Sequence, residues 1–288
     1  MIFDGKKFAE EIISKLPRKK AKLAIFLDPA NAAGVRYVKI KTAIAKRLGH
    51  TVTALRAGLV PLETKEKYPG LLQGLTLKNI RLKFTQPLHA GAGSSDGKRE
   101  INSEIGELLF TSFGISGPLV LSLSGLIVDW LWQKKKVFVE IDLKPALSKE
   151  QLDARFLREF KLNSKKTLKN TLKSLLPLNL VGVFLKISKV DPLKKVSQVN
   201  QEERRKLAAL LKGWRLEISR TRPIEEGMVT RGGISLKEID PRTMESRLIK
   251  GLYFAGEIID VDADTGGFNL QAAFSTGFLA GESAASGR

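Results

Sequence analysis

The chain has 288 residues, of which 43% are hydrophobic and 27% charged, as expected for a folded protein with one large or two ordinary domains. It contains no cysteine, which excludes disulfides, cysteine-ligated zinc, iron–sulfur clusters and a thiol nucleophile. The formal net charge of +19 attracts phosphate groups in general. The lysines are spread along the whole chain without an arm of interleaved aromatics, which favours solvated surfaces over nucleic-acid binding.

No apolar run reaches the roughly 18 residues that a membrane-spanning helix needs. The longest candidate, residues 117–132, is interrupted by Ser122, Ser124 and Asp129. Charged residues stand near the N-terminus, where a signal peptide would be apolar. We therefore expect a cytoplasmic protein with no membrane partner.

The first fifty residues have a helix–strand–helix pattern. Residues 7–16 carry apolar side chains at helical spacing, and residues 22–27 form a short apolar run of strand type. Residues 37–48 predict a second helix, with Gly49 at its C-terminal stop.

From residue 50 onward the chain changes to strands, then helices, then strands again. Segments that alternate or run apolar at strand length are residues 51–62, 76–85, 136–143, 214–220 and 251–255. Repeated leucines and lysines predict helices over residues 148–212, and small residues predict a terminal helix over residues 267–282. Residues 90–97, rich in Gly and Ser, predict a loop.

This order predicts an α/β (α+β) protein in which a β-barrel-like middle domain carries a helical insertion. The domains that we expect are residues 1–49, a β-rich part at 50–147, a helical insertion at 148–212, return strands at 213–250 and a strand–loop–helix at 251–288.

Chemistry is concentrated in residues 251–281. The apolar strand LYFA ends in Gly256-Glu257, an acidic loop follows, and two glycines precede a helix. A carboxylate at a strand end can accept hydrogen bonds from ribose or ribityl hydroxyls. Glycines at a helix start let the backbone approach a ligand, and the helix N-terminus favours a negatively polarised group. The segment thus suits a nucleotide or flavin, with a solvated loop as the alternative.

The acidic loop also has the alternating aspartates of a calcium site, at Asp260, Asp262 and Asp264. The glutamate that closes such a calcium loop at its twelfth position is missing, so we expect no metal.

The pattern FAGE-x-x-D-V-D-x-x-TGGFN-x-Q-x-A-x-S-T-G resembles the C-terminal signature of the BaiN-like family of NAD(P)/FAD-dependent oxidoreductases. Further segments resemble motifs of the same family in the same order: LVPL (59–62), GLTLKNIRL (74–82), GELLFTSFGISGP (106–118) and VTRGGISLKEIDPRTMES (229–246). The resemblance covers about residues 49–288. It departs at Ser112, where the family pattern has His.

The resemblance implies a flavoprotein that passes hydride between a nicotinamide cofactor, NAD(P), and FAD, and then to an unknown small-molecule acceptor. It implies that Glu257 binds the ribityl hydroxyls and that the backbone near Asn269 contacts the isoalloxazine ring. The residues that it implies around the flavin are Gly256, Glu257, Asp260, Gly267, Phe268, Asn269 and Leu270, with a loop near the ring at Thr230, Gly232 and Gly233. The alternative for that last loop is a tight turn.

An FAD enzyme of this type normally holds the pyrophosphate with a strand, G-x-G-x-x-G and a helix, and the chain has no such run. The nearest glycine run begins at Gly91 and has Asp96 in the wrong place. We therefore expect a partial FAD-binding α/β domain that lacks its GxGxxG half and binds FAD weakly or not at all. A complementing chain or a homo-oligomer would cover the apolar surface so exposed.

The first 49 residues resemble something else, the N-terminus of bifunctional methylenetetrahydrofolate dehydrogenase/cyclohydrolase. The family's Tyr-x-x-x-Lys is matched by Tyr37 and Lys41, one helical turn apart, and the pattern departs at Gly34. A chimera that switches around residues 46–49 would explain both resemblances. The alternative functions are therefore a one-carbon enzyme fragment acting through Lys41 and, least favoured, a basic protein that binds nucleic acid.

Overall fold

The computed structural model describes residues 22–24, 32–87 and 98–286, which form two compact units. Unit 1 comprises Met1–Val60 and Arg222–Arg288, and unit 2 comprises Pro61–Thr221. The helix expected at residues 7–16 and the loop expected at residues 90–97 lie outside the described residues.

The elements follow in chain order. Unit 1 begins with β1 (Lys22–Ala24), α1 (Ala32–Arg47) and β2 (Arg56–Gly58). The first part of unit 2 has β3 (Leu62–Thr64), α2 (Tyr68–Leu71), β4 (Thr76–Pro87), β5 (Lys98–Asn102), β6 (Gly106–Phe110), β7 (Gly114–Ser116), α3 (Pro118–Trp132) and β8 (Val137–Asp142). Its second part has α4 (Lys149–Leu162), α5 (Leu168–Leu172), α6 (Leu178–Ser188), α7 (Gln201–Lys212) and β9 (Trp214–Thr221). Unit 1 resumes with β10 (Val229–Arg231), β11 (Leu252–Phe254) and α8 (Gly266–Ser286).

Six strands of unit 2 close into an antiparallel barrel. The order is β4-β6-β7-β3-β9-β8, and β8 returns to β4 in a register that runs from Arg81↔Asp142 to Thr85↔Phe138. β5 adds to β4 as a further strand. Alternate side chains point inward, so that Val139 and Leu216 are fully buried in the core. The barrel-like middle domain expected from the sequence is confirmed.

Helices α4 to α7 form the insertion between β8 and β9. Two of them begin at capping boxes: Ser148 accepts from the backbone of Gln151, and Asn200 accepts from the backbone of Glu203, which satisfies N–H groups that a helix start leaves open. Their buried leucines and phenylalanines belong to the same core as the barrel. The helical character expected for this segment is therefore present.

The apolar run at residues 117–132, too short for a membrane span, contains helix α3, which begins after Gly117. Its buried residues include Leu119, Val120 and Ile127, so the run packs into the core of unit 2. In the part of the chain that the structure describes, no helix is both long and apolar enough to cross a membrane.

Unit 1 has its own core. β1 pairs in parallel with β11, and β2 pairs antiparallel with β10. The long α8 packs on β11 and on the short turn after it, with Gly277, Ala280 and Gly281 buried on its packed face. Such small residues let a helix approach its neighbours closely, which positions the N-terminal turn of α8 beside the segment expected to bind the flavin.

Candidate functional site

The candidate site in unit 1 begins where β11 ends. Residues Gly256–Ile258 form a single 3-10 turn, and Gly256 has φ +75°, a left-handed conformation that favours glycine. The backbone N–H of Gly256 donates to the hydroxyl of Thr276 at 3.0 Å, which fixes the turn to α8. The glycine at the strand end is therefore needed by the turn itself.

Glu257 and Thr230, which lie 27 positions apart in the chain, are brought together. The half-buried Glu257 carboxylate accepts a hydrogen bond from the backbone N–H of Thr230 at 2.8 Å. Thr230 is 2% exposed, and its buried hydroxyl oxygen has no hydrogen-bond partner among the described residues. A buried polar atom without a partner is uncommon and calls for an explanation.

Three further contacts join the two segments on either side of this pair. Ile234 donates its backbone N–H to Ile258 at 2.8 Å, and Asp260 donates its own to Ile234 at 3.0 Å. The Arg231 guanidinium binds the Asp262 carboxylate at 2.8 Å. The loop after β10 and the acidic loop therefore form one layer.

Gly232 and Gly233 lie in this layer with φ of +85° and +143°. A Cβ on Gly232 would collide with the Ala54 carbonyl, and one on Gly233 would stand 2.5 Å from the Ile258 carbonyl oxygen. Both glycines are thus required for close backbone packing, whatever else the loop contacts.

The Asn269 side chain is used within the site. Its amide donates to the carbonyls of Ala263 at 2.7 Å and Thr265 at 2.9 Å, and its oxygen accepts from Ala263 N–H at 3.1 Å. The side chain therefore holds the acidic loop against the start of α8. The polar atoms of the Asn269 side chain are therefore engaged within the protein.

The first turn of α8 faces open space. A Cβ added at Gly266 or Gly267 would meet no described atom within 4 Å. Phe268 is 67% exposed and Leu270 49% exposed, and the apolar side chains continue along the helix at Phe274 and Phe278. Leu270, Phe274 and Phe278 recur every four residues and so share one helix face, and an exposed apolar face of this kind typically contacts a ligand or another polypeptide.

The acidic loop does not form a metal site with its neighbours. Asp262 is engaged by Arg231. Over residues 22–24, 32–87 and 98–286, no group of three His, Asp or Glu side chains is arranged to hold an ion.

One polar pair near the site was not found by sequence reasoning. His50 is 3% exposed, and its Nε2 lies 2.7 Å from the Ser246 hydroxyl, while its ring packs edge-on against Phe254 of β11. His50 and Ser246 are 196 positions apart, so no local motif could have indicated the pair.

Tyr253 of β11 lies next to Phe254 in the chain. Burial, together with the charge of Glu245, raises the pKa of Tyr253.

The residues of the folate hypothesis lie on α1. Lys41 is half-buried, and the side chain of Tyr37 lies outside the described residues. The structure therefore does not test whether the two share a pocket.

The barrel and its insertion decide the family. Residues 56–229 match the family described as HI0933-like protein barrel and H2TH domain. The chain belongs to this family. Its members are FAD-dependent oxidoreductase-like proteins, in agreement with the flavoprotein resemblance of residues 49–288.

Three characterised relatives are similar to the HI0933-like chain. It is 29% identical over 243 residues to the 3-dehydro-bile acid delta(4,6)-reductase of Clostridium scindens, a match that covers 84% of this chain and 57% of the relative. It is 34% identical over 235 residues to the ribosomal RNA dihydrouridine synthase of Escherichia coli, which covers 81% of this chain and 53% of the relative. The corresponding enzyme of Haemophilus influenzae is 33% identical over 236 residues, covering 82% of this chain and 53% of the relative.

The chain thus spans just over half the length of the relatives that it matches. The resemblance of residues 1–49 to a folate enzyme gains no support from them.

Proposed function

We propose that the chain is the flavin-facing part of an FAD-dependent oxidoreductase, with the flavin held by unit 1. The observation that carries this proposal is the buried Thr230 hydroxyl, unpartnered among the described residues, beside the Glu257 carboxylate. Leaving a buried hydroxyl unsatisfied costs about 1–3 kcal/mol. A ribityl hydroxyl or a ring heteroatom could satisfy it, so the residues present fit this side of a flavin.

Each side chain then has a specific part in binding. Glu257 accepts hydrogen bonds from ribityl hydroxyls, and the backbone N–H groups of the first turn of α8 stabilise negative charge near Gly267. Phe268 and Leu270, which are exposed, supply apolar contact to the ring. Asp260, Gly256 and the two glycines of the Thr230 loop stay predictions as flavin neighbours. When bound, the flavin supplies the hydride transfer, while the protein binds and orients it.

The names of the relatives suggest the class of reaction. A delta(4,6)-reductase and a dihydrouridine synthase both denote addition of hydrogen to a carbon–carbon double bond in a ring. We infer the same class here: one carbon of the double bond receives a hydride that originates from NAD(P)H, the other receives a proton from water, and NAD(P)⁺ is released. The acceptor is a small cyclic molecule or a uridine base in RNA. The net charge of +19 and the two RNA-modifying relatives favour RNA.

FAD titration of the purified full chain tests the flavin site, with quenching of flavin fluorescence as the readout. Because the chain lacks the GxGxxG half, we expect binding in the wild type to be weak but saturable at high FAD concentration. Binding should be weaker still in Gly267→Ala, because the new methyl group enters the space beside the α8 start without touching the protein. Gly182→Ala on α6 is the matched control, since its Cβ also meets nothing within 4 Å. Wild-type protein that does not saturate with FAD, or equal affinity in both variants, would refute the site.

The acceptor is tested by supplying FAD and NADPH together with either a uridine-containing ribosomal RNA or a cyclic enone. NADPH consumption that depends on one of the two identifies the class. Consumption that depends on neither contradicts the proposed reaction.

The folate hypothesis for residues 1–49 is a separate proposal. It predicts NADP-dependent oxidation of methylenetetrahydrofolate that is abolished in Lys41→Met. Absence of this activity in the wild-type chain would contradict it.

A further inference from the structure

Basic residues occur along the whole chain, but the helical insertion carries a larger share of the net positive charge than its length alone would give. Residues 149–212 contain sixteen Lys and Arg against six Asp and Glu, so this segment holds more than half of the net excess of +19. Several of its basic groups are neutralised locally: Lys194 binds Glu203, Arg204 binds Asp153 and Lys212 binds Asp142. The remaining charge must therefore lie elsewhere on the insertion.

Part of it lines a groove. An open groove of about 760 Å³ runs between α6 and the segments beside it, and Lys169, Lys186 and Lys189 line it. All three are exposed, and none has an ion-pair partner within the described part of the chain. Asp191 is the carboxylate among the lining residues, and its side chain accepts the backbone N–H of Leu193 at 2.9 Å.

The groove has a built backbone frame. Lys169 donates its N–H to Pro192 at 3.0 Å, Leu168 donates to Lys194 at 2.8 Å, and Val196 donates to Lys166 at 3.1 Å. These bonds hold the start of α5 against the segment after α6, so the lysine backbones have fixed positions before any ligand arrives.

The floor of the groove is apolar and its lysines are exposed. Leu185 and Val190 are buried beneath it, while Gly182 leaves open space for close approach. Lys195 pairs with Thr167 in an isolated bridge, and the exposed Lys166 and Lys195 add positive charge beside the groove. The lining contains no aromatic side chain, so the groove offers charge to a backbone and no stacking surface to a base.

We propose that this groove binds the phosphate backbone of RNA, an inference that rests on the RNA form of the proposed function. Lysine ammonium groups attract phosphates as point charges and release the counterions condensed on the nucleic acid. A single strand can enter an open groove, whereas a membrane surface is planar and would meet only its rims. The insertion thereby supplies basic contacts to the backbone of an RNA strand.

Fluorescence anisotropy of a labelled ribosomal RNA hairpin, with the full chain and no added FAD, tests the proposal. In the triple variant Lys169→Gln, Lys186→Gln, Lys189→Gln we expect affinity to fall about tenfold or more at low salt. The slope of log affinity against log salt should fall in magnitude by about 2, since each phosphate contact contributes about 0.7 to 0.9.

The matched control removes the same charge from exposed lysines that do not line the groove, as Lys67→Gln, Lys134→Gln, Lys136→Gln. It should bind RNA nearly as well as the wild type. Equal weakening in the two triple variants would show diffuse attraction and overturn the proposal. Circular dichroism and thermal melting establish that both variants are folded.

Asp191→Asn gives a test of opposite sign. The amide oxygen keeps an acceptor for the Leu193 N–H while the negative charge is lost, so RNA should bind several-fold more tightly. Unchanged or weaker binding would contradict a role of the groove.

Two further measurements separate the possible outcomes. Binding to vesicles that contain phosphatidylserine is measured for the wild type and for the triple groove variant. If the vesicles bind as tightly as RNA and the groove variant loses this binding, RNA is not the specific ligand of the groove. The FAD titration is independent: flavin binding without groove-dependent RNA binding refutes this inference alone, and groove-dependent RNA binding without flavin binding refutes the flavin site alone.

Discussion

Substitution of Glu257 separates the structural part of the candidate site from its ligand-binding part. In the wild type, the carboxylate accepts the N–H of Thr230, a residue that is 2% exposed. Glu257→Ala leaves this buried N–H without its acceptor, which costs about 1–3 kcal/mol. Glu257→Gln keeps an acceptor oxygen and loses only the charge. The free energy that it loses should therefore be smaller, because a neutral hydrogen bond contributes about 0.5–1.5 kcal/mol and a charged one about 1.5–3 kcal/mol.

The readout must come from unit 1. The three tryptophans, Trp130, Trp132 and Trp214, all lie in unit 2, so tryptophan fluorescence does not report on Glu257 directly. Amide hydrogen exchange of Thr230 does, because its rate follows the local opening free energy. A loss of about 1–3 kcal/mol corresponds to exchange roughly 5- to 150-fold faster in Glu257→Ala.

The two variants should differ in the exchange rate of the Thr230 amide, and both should bind FAD more weakly than the wild type. Glu257→Gln should speed exchange less than Glu257→Ala does and still weaken FAD binding, because a neutral amide is a poorer acceptor for ribityl hydroxyls. If Thr230 exchanges at the wild-type rate in Glu257→Ala, the hydrogen bond does not stabilise the loop. If Glu257→Gln binds FAD as the wild type does, the carboxylate has no part in the flavin site.

Three further outcomes are expected. Gly233→Ala should destabilise unit 1 by about 1–3 kcal/mol or more, since φ is +143° and the Cβ would stand 2.5 Å from the Ile258 carbonyl oxygen. Urea denaturation followed by circular dichroism measures the loss, and a variant as stable as the wild type would contradict the prediction. Trp214→Ala should lower the free energy of unfolding by about 3–5 kcal/mol in the same assay, because this 1%-exposed ring packs on Phe110 in the barrel core. A loss below about 1 kcal/mol would contradict that packing. Hydrogen bonding to Lys194 holds the pKa of Glu203 below its ordinary 4.5, so its stabilisation is complete above pH 4.5 and lost as pH falls through the lowered pKa. The stability difference between Glu203→Gln and wild type should therefore shrink in acid, and a difference independent of pH would refute this cause.

Local patterns predicted most of the elements correctly because their causes are local. Leucines at helical spacing and polar N-caps such as Asn200 specify helices within a few residues of themselves. Alternation specified β8, and an apolar run between turns specified β11. The apolar run of α3 was the exception, because a run too short for a membrane span shows no periodicity that separates a buried helix from other buried elements.

A prediction that failed shows where local patterns stop. Residues 51–62 read as one strand, but the structure has β2 and β3 with Leu59 between them at φ +47°. A non-glycine residue in the left-handed region has no dependable sequence signal. β2 pairs with β10 in unit 1 and β3 pairs with β7 and β9 in unit 2, so the break follows from the two pairings.

By itself, the sequence determined the helices, most strands, the net charge and the residue types of the candidate site, since propensity, capping and periodicity act over a few neighbouring residues. Only the tertiary structure decided that β8 closes the barrel on β4, that Glu257 meets Thr230, and that three lysines share one groove. Those contacts join residues far apart in the chain. Their partners are chosen by how whole elements pack, and a periodic pattern shows that a face exists without showing what lies opposite it.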